Sequence, residues 1–218
     1  MLAASNARAQ RAAGLIPAPE IEPEPASSVV PAHVREGFYL RVATGAVGGA
    51  VDRSFDAYAA QGSSSIRGAG FATELSIGGS LRRGFVLAGT IFGAQLPSPR
   101  IVDAGSASNV EQTVGFWMLG PSIVVYPNPR HGFHLGAGLG AAWLTSASPG
   151  RDARVDGRGG ALSLVVGQDW LLGHEWSVGV SGSFIGASLI DRASSDAALT
   201  NRLDRVAMGV LMITAVLH

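Results

Sequence analysis

The feature that most constrains the fold is a period-two alternation of side chains in a series of short segments. It is clearest over residues 132–145, where apolar residues from Phe133 to Trp143 occupy every second position and Gly, Ala and His134 occupy the positions between them. Successive side chains of a β-strand point to opposite faces of the sheet, so this pattern predicts a strand with one apolar face and one small face. Uninterrupted apolar stretches of 18 or more residues do not occur, which argues against a membrane-spanning helix.

Eight segments show this pattern or approach it, and each is 13 to 15 residues long. A tilted strand needs about 9–11 residues to cross the hydrocarbon layer. The face opposite the large residues consists of Gly, Ala and Ser with almost no charge, which suits the narrow lining of a filled barrel. We therefore predict an all-β fold, a closed eight-stranded antiparallel up-and-down transmembrane β-barrel over residues 37–218. Its strands are predicted at residues 37–49, 68–81, 84–96, 112–126, 132–145, 158–171, 175–189 and 205–217.

Charge is scarce in these segments. Charged residues make up 15% of the chain, below the quarter that is usual for a soluble domain. Only six of the 32 lie in the eight segments, as expected if the strands cross hydrocarbon. The zero net charge gives no indication of nucleic-acid binding, and the absence of Cys excludes thiolate metal sites and thiol nucleophiles.

The predicted connections alternate in length, at 18, 2, 15, 5, 12, 3 and 15 residues. Outer-membrane barrels have short periplasmic turns and long extracellular loops, so this alternation favours a barrel of that kind. An even number of strands then places both termini on the periplasmic side. The long connections, rich in Ser, Ala, Asp and Arg, are predicted to face the outside of the cell.

Aromatic residues concentrate towards the segment ends, where outer-membrane barrels carry two interfacial girdles. We predict one girdle at the short-turn end and a second at the long-loop end. The first contains Phe38, Tyr39, Phe85, Tyr126, Phe133, Trp170 and Trp176; the second contains Phe71, Phe92, Phe116, Trp117, Trp143 and Phe184.

The first 36 residues have a different composition. Small residues at Ala7 and Ala9 match a secretory cleavage site, so residues 1–9 are interpreted as the remnant of a signal peptide. Residues 10–36 alternate Pro and Glu around residues 17–25 and are predicted to be a disordered periplasmic segment.

Several short motifs resemble the small proteobacterial outer-membrane β-barrels of the OmpA/OmpX-like class. They are Gly37–Arg41 at the start of the first segment, Leu119-Gly120-Pro121 in the fourth, and Gly167–Leu172 followed by Trp176–Val180. The resemblance covers about residues 33–218 and implies a cell-envelope protein of a Gram-negative bacterium that the outer-membrane assembly machinery inserts. Proteins of this class usually end in an aromatic residue, whereas this chain ends in His218.

Four polar residues stand out within the segments. Arg41 and Glu74 lie near the middle of neighbouring strands, and we expect a structural charge pair in the lumen, because lipid would penalise an outward Arg. His134 and Asp169 are expected to bridge each other near the periplasmic mouth. An Asp–His pair can serve as a general base, but no motif places a nucleophile beside it. We therefore predict a structural polar cluster in the lumen, with no catalytic, cofactor or metal site; the five His show no metal-ligand spacing.

The sequence therefore favours a non-enzymatic, monomeric integral outer-membrane protein without an open pore. Its barrel would be an envelope anchor in outer-membrane lipid, and its extracellular loops would contact an unidentified ligand. Two alternatives stay open. One is a barrel-embedded enzyme or lipid-binding protein that acts on outer-membrane lipid, and the other is a soluble lipocalin-like carrier.

Overall fold

The computed structural model describes residues 37–57, 60–103, 106–109, 111–128, 131–148, 154–173, 175–192 and 201–218. The predicted signal remnant and the Pro/Glu-rich segment lie outside these residues. The described residues form ten strands. They are β1 (Phe38–Ala57), β2 (Ala60–Arg82), β3 (Phe85–Pro97), β4 (Arg100–Asp103), β5 (Ser106–Asn109), β6 (Thr113–Val125), β7 (Phe133–Ala147), β8 (Arg154–Leu172), β9 (Trp176–Arg192) and β10 (Asn201–Leu217).

Eight of the strands close into a ring. Every neighbouring pair is antiparallel, the order around the ring is β1-β10-β9-β8-β7-β6-β3-β2, and β2 pairs back with β1. The predicted eight-stranded antiparallel barrel is therefore confirmed. The remaining strands, β4 and β5, form a small hairpin that continues the sheet from β2 beyond the end of β3.

No helix in the described part of the chain is long and apolar enough to cross a membrane.

The short turns lie at one end of the barrel, where the sequence places them. Gly84 and Gly173 occupy two of these turns with φ of +72° and +78°, a left-handed conformation that favours glycine. A backbone bond from the Tyr126 amide to the Gly84 carbonyl ties two neighbouring turns together.

The opposite end differs from the prediction, because much of what was expected to be loop is strand. Residues 50–57 and 60–67, predicted as a long connection, continue β1 and β2 as a paired hairpin. Residues 97–111 contain β4 and β5. The prediction ended these strands where the alternation gives way to polar connections, whereas the β1–β2 ladder continues through Asp52, Arg53 and Arg67. β1 and β2 have 20 and 23 residues whereas β3 and β6 have 13, so the rim is much higher on the β1–β2 side.

The alternation separates an apolar exterior from a filled interior. Along β7, Leu135 and Leu139 face outwards and are 46% and 62% exposed, while His134 and Ala142 face inwards and are buried. The exposed large apolar side chains include Leu87, Ile91, Leu119, Leu162, Leu164, Val166, Leu211 and Ile213. Such an exterior is suited to lipid and opposite to the charged exterior of a soluble barrel.

The ladder between β6 and β7 has one interruption. The two strands pair from Thr113–Ala147 to Leu119–Ala141, and pairing resumes at Ser122–Gly138. Pro121 lies in the interruption and has no amide hydrogen to donate. On its other side Pro121 remains in register with Gly89 of β3.

Candidate functional site

The four predicted lumen residues meet at one level of the interior. Arg41 is buried at 2% exposure and forms an ion pair with Glu74, with 3.4 Å between Nε and Oε1. Its Nη2 donates to the Ser181 hydroxyl at 2.8 Å, and its Nη1 lies 3.4 Å from Nε2 of His134. One guanidinium therefore links β1, β2, β7 and β9 across the lumen. We call the polar side chains that meet at this level the polar belt. Its members are Arg41, Glu74, His134, Asp169, Ser181, Tyr126, Thr214, Ser76, Thr90 and Ser122.

His134 connects the guanidinium to a second carboxylate. Its Nδ1 lies 3.2 Å from Oδ2 of Asp169 and 3.3 Å from the Gly132 carbonyl oxygen, and both of these atoms are acceptors. Nδ1 therefore carries the hydrogen. Arg41 has only donors, so Nε2 must present its lone pair to the guanidinium. These contacts select the neutral Nδ1–H tautomer.

Asp169 accepts from three side chains. Besides His134, Tyr126 donates to Oδ2 at 3.0 Å, and Thr214 donates to Oδ1 at 3.3 Å. Burial of an ionised carboxylate is costly unless it is paired and hydrogen-bonded, and here both oxygens are compensated.

The hydroxyls on the other side of the lumen form a directed chain. Ser76 donates to Oε1 of Glu74 at 3.3 Å, Ser76 and Thr90 are 2.8 Å apart, and Thr90 and Ser122 are 2.6 Å apart. Each hydroxyl has one hydrogen, so donation must run from Ser122 through Thr90 and Ser76 to Glu74. Beside this chain is a cavity of about 20 Å³, lined by polar groups that include Arg41, which is room for one water.

Glycines on β8 and β9 make space for the belt. A Cβ at Gly167 would lie 2.5 Å from Nε2 of His134, and a Cβ at Gly179 would overlap Oδ1 of Asp169. The face from which the lumen was predicted consists of small residues partly because the side chains of His134 and Asp169 need this space.

Apolar layers enclose the belt on both sides. Towards the long-loop rim the lumen is filled by Phe92 and Phe116, whose ring centroids are 6.3 Å apart, and by Met208, Met212 and Ile185. Towards the short turns lies a cluster that includes Tyr39, Val86 and Val216, with the ring of Tyr126, whose hydroxyl belongs to the belt. The His218 ring closes this end, 5.8 Å from the Tyr39 ring and 6.1 Å from the Tyr126 ring.

The aromatic prediction is wrong for four side chains. Tyr39, Phe92, Phe116 and Tyr126 face the lumen and are at most 2% exposed. The reason is parity: in an adjacent pair such as Phe38-Tyr39 only one ring can face lipid, and segment position alone does not say which.

The remaining predicted girdle residues lie outside the lumen lining. At the short-turn end, the exterior carries Phe38, Phe133, Trp170 and Trp176 as well as the partly exposed Phe85. Towards the long-loop rim, Phe71 and Phe184 are exposed, and Trp117 and Trp143 are paired on neighbouring strands.

Most neutral members of the belt were not predicted from the sequence. Tyr126 was assigned to a girdle, and Ser181, Thr214, Thr90 and Ser122 were not singled out. Strand parity was the available signal, because Tyr126 is an even number of residues from Ser122 and therefore shares its face.

At the long-loop rim a second buried ion pair lies above the apolar layer. Asp204 of β10 is fully buried, and its Oδ2 lies 3.7 Å from Nε of Arg53 in β1. Beside it is an open pocket of about 550 Å³, lined by Asp52, Arg53, Ser54, Ser63, Ser64, Ser65, Val102 and Arg205. Among the described residues, no group of three or more His, Asp or Glu is arranged to hold a metal ion.

Comparison with known proteins agrees with this fold. No family model matches the chain, and no curated protein matches it significantly. Neisserial surface protein A is similar in structure, with a TM-score of 0.51 and 10% identity over 83% of this chain and 96% of that one. The outer membrane protein OprG from Pseudomonas aeruginosa gives 0.53 and 12% over 85% and 98%. At these identities the likeness concerns the fold alone, and it agrees with the fold that the sequence motifs indicated, that of the small outer-membrane β-barrels.

Proposed function

We propose that this protein is a non-enzymatic, monomeric integral protein of the Gram-negative outer membrane. Its barrel is the anchor, and its long-loop rim is the surface that contacts other molecules outside the cell. The observation that carries this proposal is the filled lumen. Side chains occupy it from Tyr39 at the short turns to the Arg53–Asp204 pair at the rim, so the rim is the part left for recognition.

A structural role for the belt is supported by its lack of access. His134 is fully buried, and the nitrogen that would act as a general base faces Arg41. A base must come within hydrogen-bond reach of the proton that it removes. Substrate could reach Nε2 only by displacing the guanidinium from its contacts with Glu74 and Ser181.

The same contacts support a barrel without an open pore. An eight-stranded barrel has an interior wide enough for side chains alone, and the belt crosses it from β1 to β9. Planar-bilayer recordings of the refolded chain should show no stable conductance steps. Long-lived, large single-channel openings would contradict the proposal.

Orientation can be tested by labelling, because the chain has no Cys. Ser54, exposed at the long-loop rim, and Asn128, exposed in a short turn, give a matched pair for Ser54→Cys and Asn128→Cys. A membrane-impermeant maleimide added to intact cells should label Ser54→Cys and should reach Asn128→Cys only after lysis. Labelling in the reverse pattern would place the rim in the periplasm and remove its proposed role.

A further inference from the structure

Among the described residues, the outer face formed by β10, β1, β2 and β4 carries three exposed arginines, Arg67, Arg100 and Arg205. Arg67 of β2 and Arg100 of β4 are directly opposite each other across an antiparallel pair, and both are exposed. Like charges in this position destabilise a sheet. Neither side chain has an ion pair or hydrogen bond within the described part of the chain.

A third arginine extends this patch. Arg205 of β10 is opposite Asp52 of β1, one row above the row that contains Ala50, Arg67 and Arg100 on the same face. From strand spacing, the Cα atoms of Arg205 and Arg67 are about 12 Å apart. We call Arg67, Arg100 and Arg205 the arginine patch.

The patch lies at the height expected for lipid headgroups. Phe71, the last exposed aromatic side chain of β2 below it, is four residues from Arg67. With the usual strand rise and tilt, this separation raises the Cα atom of Arg67 about 10 Å above that of Phe71. The three arginines therefore lie where phosphate groups of a surrounding lipid would be.

The open rim pocket adjoins the patch and presents a different chemistry. Asp52, Ser65 and Val102 share a row with Arg205, and Ser54 and Ser63 form the next row above it. The Ser65 hydroxyl oxygen is screened from solvent and has no hydrogen-bond partner among the described residues. A carboxylate beside several hydroxyls is suited to the hydroxyl groups of a sugar, because it accepts from them while serine both donates and accepts.

We propose that this face binds a phosphorylated glycolipid of the outer leaflet. The arginine patch binds the phosphate of the glycolipid, and the serine-rich pocket binds the hydroxyl groups of its sugar. A guanidinium matches phosphate geometry through paired N–H donors, and an anion between Arg67 and Arg100 removes their mutual repulsion. This inference rests on the proposed location in the outer membrane, and it concerns a site that the anchoring role does not require.

The test uses the full chain refolded in phosphatidylcholine vesicles, with a diphosphorylated lipid A as the probe. The variant is Arg67→Gln/Arg100→Gln. The matched control is Arg82→Gln/Arg83→Gln, which removes an arginine pair at the short-turn end. Heat-dependent gel mobility establishes that each variant is folded before binding is measured.

An arginine near an anionic lipid surface contributes about fivefold to affinity, so the variant should bind about 25-fold more weakly and the control within twofold of the parent. Removing one phosphate from the probe should weaken binding to the parent and have less effect on the variant. Equal binding by the parent and the variant, or an equal loss in the control, would overturn the proposal.

A second variant separates a glycolipid from any anionic lipid. Ser63→Ala/Ser65→Ala should weaken binding of the glycolipid severalfold and leave binding of phosphatidylglycerol unchanged. If phosphatidylglycerol competes as well as the glycolipid, the assignment to a sugar-bearing lipid is wrong. Failure of this test would leave the bilayer and labelling results unaffected, so it is distinguishable from failure of the proposed function.

Discussion

The contacts of the polar belt predict how much Arg41→Ala lowers the free energy of unfolding. Removal of one member of a buried ion pair generally costs 3–5 kcal/mol, because the other charge is left uncompensated. Glu74 would still accept from Ser76, and the adjoining cavity of about 20 Å³ admits water to the carboxylate. We therefore expect the lower end of that range, about 3 kcal/mol, which changes the unfolding equilibrium roughly 150-fold.

The assay is urea unfolding in phosphatidylcholine vesicles, followed by tryptophan fluorescence and analysed at constant m-value. Arg158→Ala is the control, since Arg158 is exposed on the exterior, and its loss should change the free energy of unfolding by at most about 0.5 kcal/mol. Arg41→Ala/Glu74→Gln should be destabilised by less than the sum of its single variants, because the two groups interact directly. A loss below 1 kcal/mol for Arg41→Ala, or strict additivity in the double variant, would refute the reasoning.

Three further predictions test the lumen and the exterior. Gly167→Ala should cost about 1–3 kcal/mol of unfolding free energy, because its Cβ would approach His134, whereas Gly209→Ala, with no atom within 4 Å of the new Cβ, should be close to neutral. Leu139→Arg should cost about 2–4 kcal/mol in vesicles, and Leu81→Arg, equally exposed but at the short-turn end, about 0–1 kcal/mol; similar small losses at both positions would mean that the apolar band does not face lipid. Tyr126→Phe removes a donor to Asp169 and should lower the free energy of unfolding by about 1–2 kcal/mol, whereas no measurable loss in the same urea assay would show that the other two donors suffice.

The barrel could be predicted from the sequence because its physical causes are local and repeated. Each strand must present apolar side chains to lipid and small or polar ones to a narrow lumen, so segments such as residues 132–145 carry the information themselves. The pairing of Arg41 and Glu74 could be predicted by the same argument. An ionised side chain near the middle of a strand is too costly in lipid and must face the lumen.

Other features depend on contacts that the local pattern does not specify. The role of Tyr126 depends on an acceptor 43 residues away in another strand. The continuation of β1 and β2 beyond residues 49 and 68 depends on pairing, which holds charged residues such as Asp52 and Arg53 in strand geometry once they are above the membrane. The arginine pair at the rim likewise arises from the register of β4 on β2.

The interruption at Pro121 makes the stiffness of the barrel wall uneven around its circumference. A closed barrel resists shear because every strand is hydrogen-bonded to both of its neighbours. Between β6 and β7 this pairing is missing for two residues on each strand. Beside the interruption lie Gly136, Ser163 and the small cavity, which Arg41 also lines. We therefore expect amide hydrogens beside this interruption to exchange earlier than those in the uninterrupted parts of the β6–β7 ladder.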